Sequence, residues 1–145
     1  MKTILVTIMF EKGDELLIEK AAQLANAFGS KVWIVHIASP DPDFVGYEVG
    51  PQYIRNSRAA DLNEEHHIID EYVRLLNNKG INAEGLLVQG STVKMVFEEA
   101  KKLNADLIIA GHHERSFIYK ALVGRVSAEI IRKSTIPVLI VPFLK

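Results

Sequence analysis

Two glycines frame the residues best suited to chemistry. Gly111 follows a short apolar run at residues 107–110, and Gly124 opens an amphipathic stretch reaching Lys133. A buried strand, a glycine, an irregular loop and a second glycine at a helix start form a phosphate-cradle layout. In such a cradle, bare main-chain N–H groups and the positive end of a helix dipole face whatever the loop holds. Gly124, Val126 and Ser127 are placed to supply donors. The loop also carries Glu114 and Arg125 where a cradle favours small residues. Like charges about 4 Å apart at a protein surface repel by a few kcal/mol, so Glu114 opposes a phosphate there. Arg125 could meet a phosphate, or pair with Glu114 and close the loop on itself. The plainer alternative is that both side chains point into water.

Other candidates carry less chemistry. His112-His113 and His66-His67 invite a metal reading, but adjacent residues on a strand or helix point in different directions. With no cysteine and no spaced set of ligands, no metal site is expected. The absence of cysteine also excludes disulfides and thiol catalysis. Ser116 and Ser127 lack a Gly-x-Ser-x-Gly elbow, so nucleophilic hydrolysis has no signature. His36, inside an apolar run, is expected to be a hydrogen-bonded core residue. Glu64-Glu65 and Asp70-Glu71 read as a solvated helix face.

A chain of 145 residues is one domain by length, spanning 1–145, and long enough to bury a core. A net charge of -1 lacks the basic excess of a nucleic-acid binder. The apolar N-terminal run stops at Glu11, too short for a signal peptide or membrane span. A cytoplasmic protein that binds neither nucleic acid nor membrane is the expectation.

The elements that must hold the glycines alternate regularly. Residues 3–9, apolar at nearly every position, read as a central parallel strand covered on both faces. Gly13-Asp14 leads into a helix with Leu17, Ala21, Leu24, Ala25 and Phe28 at helical spacing, stopped by Gly29. Residues 31–37 form a second strand. Residues 38–52, rich in proline and glycine, read as a loop overhanging one end of the sheet. A helix over 57–79 turns Leu62, His66, Ile69, Val73 and Leu76 to one face. A third strand over 81–89 lies nearer an edge. Ser91 or Thr92 caps a helix burying Val93, Val96, Phe97, Ala100 and Leu103. A strand at 106–110, broken by Gly111, a helix over 124–134 and a last strand over 137–141 complete the chain.

Strands and helices in strict alternation predict an α/β fold: an open, doubly wound, five-stranded parallel sheet with helices on both faces. Right-handed crossovers favour strand order 3-2-1-4-5, reversing between the first and fourth strands. Ligands bind such sheets at the reversal, beyond the carboxyl ends of the strands. Met9-Phe10 and Gly111-His112 fall there.

Five pieces in order resemble the universal stress protein family: Ile4-Leu-Val-Thr-Ile8, Ile34-Val-His-Ile37, Val88-Gln-Gly90, residues 105–111 and Ser134-Thr-Ile-Pro-Val-Leu-Ile-Val141. The resemblance runs nearly the whole length and implies an adenine nucleotide alpha hydrolase-like fold. Many members bind ATP through Gly-x2-Gly-x9-Gly-Ser/Thr, with an aspartate just after the first strand. Here the first and third glycines are Gly111 and Gly124, while Glu114, Arg125 and Met9 occupy the other hallmark positions. Gly111-His112-His113 instead resembles the branch named for universal stress protein A, whose members are known for not holding nucleotide. Any adenylate, ATP or AMP, would contact Ile8, Met9, Ile37, Ala110, Gly111, His112 and His113, then Glu114, Gly124, Arg125, Val126 and Ser127. The resemblance also implies a homodimer joined antiparallel through Pro137, Val138, Leu139, Ile140 and Val141.

The expected function is therefore a dimeric stress-response module acting through partners or ligands, with a degraded nucleotide site and no catalysis. The alternative is an AMP- or ATP-binding switch using the modified loop. An enzyme on this fold ranks third, because only a histidine of the 112–113 pair offers a general base.

Overall fold

The computed structural model describes residues 1–10, 12–38, 52–90, 92–113 and 129–143; for 52–62, 92 and 113 it describes the main chain alone. In chain order the elements are β1 (Thr3–Thr7), α1 (Asp14–Phe28), β2 (Lys31–Ala38), α2 (Gln52–Asn78), β3 (Ala83–Gln89), α3 (Thr92–Lys102), β4 (Leu107–His113) and β5 (Val138–Phe143). The strands make one parallel sheet in the order β3-β2-β1-β4-β5, as the alternation of elements predicts. Residues 129–133 are helical. The helix start expected at Gly124 and the interior of the 38–52 loop lie outside the described residues.

Strand alternation divides the core in two. Ile4, Val6 and Ile8 of the first strand segment join Val32, Ile34 and Ile109 on one face, under Leu17, Ala21 and Ala25 of α1 and Ile69 and Leu76 of α2. Leu5, Val35, Ile37 and Ile108 face the other way, under Val96 and Ala100 of α3. The central strands are thus apolar at successive positions because both faces are covered.

Helix α1 begins with Asp14 and Glu15, whose charges suit its positive end. It stops at Gly29, which takes the left-handed φ of 66° that a glycine adopts without a Cβ penalty. Phe28, expected on the inner face, is 57% exposed. The turn at Gly29 carries the chain back to the sheet, and the inner place goes to Ser30, whose hydroxyl donates to the Met1 carbonyl at 2.9 Å. Helix α2 starts at Gln52, ahead of the expected 57. Its inner stripe runs through Ile69 and Leu76 as expected, but His66 is exposed and Glu65 half-buried. The stripe steps back four residues from Ile69 rather than three, which turns His66 outward.

The strand ends also differ from expectation. β1 stops at Thr7, although the Ile8 N–H still donates to the Val35 carbonyl at 3.0 Å. Gly111 does not break its strand: β4 continues to His113, with His112 opposite Pro142 and His113 opposite Phe143. The reason is the partner strand. β5 begins at Val138 and runs on to Phe143, so β4 keeps a ladder to pair with.

At the opposite pole Asp106 staples β1 to β4. Its carboxylate accepts from the Lys2 and Thr3 N–H groups at 2.8 and 3.0 Å, while its own N–H donates to the Thr3 carbonyl at 2.8 Å. Those two bonds to main-chain N–H groups, aided by the nearby positive charges, hold the Asp106 carboxyl below its ordinary range. A carboxyl depressed in the folded state stabilises above its unfolded pKa, near 3.9, and that contribution fades as pH falls through the folded value. Asp106→Ala should therefore lower the urea midpoint at pH 7, with the deficit shrinking as the pH is taken below the unfolded value, near 3.9. A deficit independent of pH would refute the staple.

Candidate functional site at the sheet reversal

The crevice forms where β1 and β4 lie side by side and their connections leave in opposite directions. Thr7, at the end of β1, donates from Oγ1 to the Ile109 carbonyl at 3.3 Å, which locks the two carboxyl ends together. Past it the main chain turns sharply. Phe10 adopts a positive φ of 56°, unusual for a bulky side chain. Two contacts hold that turn. The Phe10 ring lies against the His36 ring, centroids 4.1 Å apart and tilted by 51°. The Met9 N–H donates to Oδ1 of Asp14 at 3.3 Å.

His36 is buried, as expected, with Nδ1 2.7 Å from the Ile8 carbonyl. A carbonyl only accepts, so in this arrangement Nδ1 carries the proton. Asp14 is also buried, at 1% exposure, in the first turn of α1. Both polar groups brace the exit of β1.

The floor of the crevice is main chain. A Cβ placed on Gly111 would run into the tip of the Phe143 ring, Cζ, Cε1 and Cε2. One placed on Gly13 would run into the other end of the same ring, Cγ, Cδ1 and Cδ2. The phenyl group thus lies between the backbone of β4 and the backbone entering α1. Both glycines are needed because no side chain fits beside it.

Of the residues expected to touch a ligand, Ile8, Ile37 and Ala110 are buried core, so only their main chain could reach one. Met9, Gly111 and His112 are half-buried at the strand ends, where the topology places a site. His113 closes β4, and its side chain is not described. Glu114, Gly124, Arg125, Val126 and Ser127 lie outside the described residues. Gly13, Asp14, His36 and Phe143 were not foreseen as parts of the crevice. The Gly13-Asp14 pair carried a signal, since a glycine ahead of an acidic first turn also marks close approach of backbone. Phe143 carried none, because only the sheet register brings it over Gly111.

The packing makes a direct prediction. Gly111→Ala and Gly13→Ala should each destabilise the fold by about 1–3 kcal/mol through overpacking against Phe143. Urea unfolding measures this, and midpoints equal to the parent's would show that the ring does not fill the gap.

The geometry agrees with comparisons to known proteins. The pattern of the Universal stress protein family matches residues 1–142. Universal stress protein A of Escherichia coli (strain K12) is 27% identical over 146 aligned positions, covering 97% of this chain and 94% of that protein. Stress response protein NhaX of Bacillus subtilis is 32% identical over 81 residues, 56% of this chain, so the chain spans about half of that relative's length (48%). Among solved structures, a universal stress protein in complex with cAMP has a TM-score of 0.71 at 24% identity, covering 99% of this chain and 98% of that one. The universal stress protein from Archaeoglobus fulgidus in complex with dAMP has a TM-score of 0.68 at 21% identity, with 97% of each chain covered. With the sheet order, the reversal-point crevice and a family match across 1–142, the chain belongs to the universal stress protein family.

Proposed function

We propose that this chain is a cytoplasmic, homodimeric stress-response module that acts by binding partners or small ligands and performs no turnover of its own. The observation that carries the reading is the position of β5. It ends the sheet order, and Val138, Leu139 and Ile140 on it are only half-buried. An edge strand with apolar side chains favours pairing with another chain, here an antiparallel twin. Among the described residues no helix is long and apolar enough to cross a membrane.

The nucleotide site is degraded in this reading. Met9 replaces an aspartate, and its N–H goes to Asp14 within the chain. Losing a charged hydrogen bond to adenosine costs roughly 1.5–3 kcal/mol, about ten- to a hundredfold in affinity. Glu114 and Arg125 stand where a triphosphate loop carries small residues, and their pairing would hold the loop in place of the phosphates.

A second reading, an AMP- or ATP-binding switch, is supported by the two related folds whose structures hold cAMP and dAMP. The two readings part on one measurement. Freshly purified protein, denatured and examined by mass spectrometry, should release no adenylate; a stoichiometric adenylate would favour the switch.

Two variants test the details. Ile140→Lys puts a charge on β5 and should convert a dimer to a monomer in analytical ultracentrifugation; an unchanged mass would place the interface elsewhere. Glu114→Gly with Arg125→Ser should tighten ATP binding about ten- to a hundredfold in calorimetry. No gain would mean that the two side chains are not what excludes the triphosphate.

A further inference from the structure

The Phe143 ring lies in a space that two backbone segments leave open. Gly13 walls one end and Gly111 the other, and neither position tolerates a Cβ while the ring is there. The walls are peptide planes and Cα hydrogens, surfaces on which a flat apolar ring packs well. The slot sits at the carboxyl ends of the central strands, where open α/β sheets take their ligands. Phe143 itself is only half-buried, so the slot borders solvent.

The side chain that fills it comes from the last described residue of the outermost strand, where Phe143 lies opposite His113 of β4 and has no strand on its other side. Ends of edge strands open at low free energy compared with the core. Phe143 sits at such an end, whereas β1 and β4 lie inside the sheet.

We infer that the Gly13–Gly111 gap is a binding slot for a planar aromatic ring, which the chain fills with its own Phe143. A ligand bearing such a ring enters by displacing the end of β5. The assignment of that ring to an adenylate rests on the second reading under Proposed function; the slot itself does not. Phe143 then acts as an intramolecular competitor, and the end of the proposed dimer strand reports whether the crevice is occupied.

The experiment uses the full chain with two probes, toluene and AMP. Removing the ring leaves a gap between apolar walls of a size that a benzene-sized molecule fills. Phe143→Ala should bind toluene, seen as a rise in melting temperature and ligand-observed NMR, at least tenfold more tightly than the parent. Adding Gly111→Ala to Phe143→Ala puts a methyl group where the ring tip was and should return toluene affinity to the parent's level. The same pair forms a mutant cycle, in which Gly111→Ala is far better tolerated without Phe143 than with it. AMP affinity should rise at least tenfold in Phe143→Ala.

No toluene uptake by Phe143→Ala, or uptake unaffected by the added Gly111→Ala, overturns the slot. Toluene uptake with unchanged AMP affinity upholds the slot and rejects adenylate as its ligand. If Phe143→Ala does not fold, Phe143→Leu is read in the same way, since it too shortens the occupant.

Discussion

The side-by-side packing of β1 and β4 is the constraint on which the rest depends. Ile4, Leu5 and Val6 are wholly buried because helices cover both faces of the strand they form. Each such side chain contributes about 1.5–3 kcal/mol by leaving water. The seam is pinned at both ends, by Asp106 beneath and by Thr7 above. Because the connections diverge from this seam, its carboxyl end cannot be covered by a crossover helix. Such a reversal is where open α/β sheets take their ligands.

The polar groups around that crevice are devoted to shape. A positive φ at a residue like Phe10 costs about 1–3 kcal/mol and survives only where neighbours fix it. The His36 ring and the Met9–Asp14 bond do so from two sides. The exit of β1 is thus rigid by construction, while the far wall, Phe143, belongs to the outermost strand.

Much of this was legible in the sequence. Unbroken apolar runs at β1 and β4 fixed them as central, and the regular alternation of strand and helix set the sheet order. Gly29 announced the end of α1 in advance. The errors have a common physical origin. Gly111 reads as a breaker by itself, but strand length is decided by the neighbouring strand, which local pattern does not contain. His66 and Phe28 sit within a residue or two of the true inner stripe, and only packing against the sheet sets its phase. Topology points to the carboxyl ends of β1 and β4, yet the packing of Gly13, Asp14, His36 and Phe143 there depends on contacts between residues far apart in the chain.

Pro142 lies within the exposed border strand, opposite His112. A chain adding itself to that border can form hydrogen bonds only as far as the proline, where the donor is missing. This sets a ceiling on how many rungs any incoming strand can make. The same residue thereby protects a hydrophobic margin from open-ended stacking into fibres.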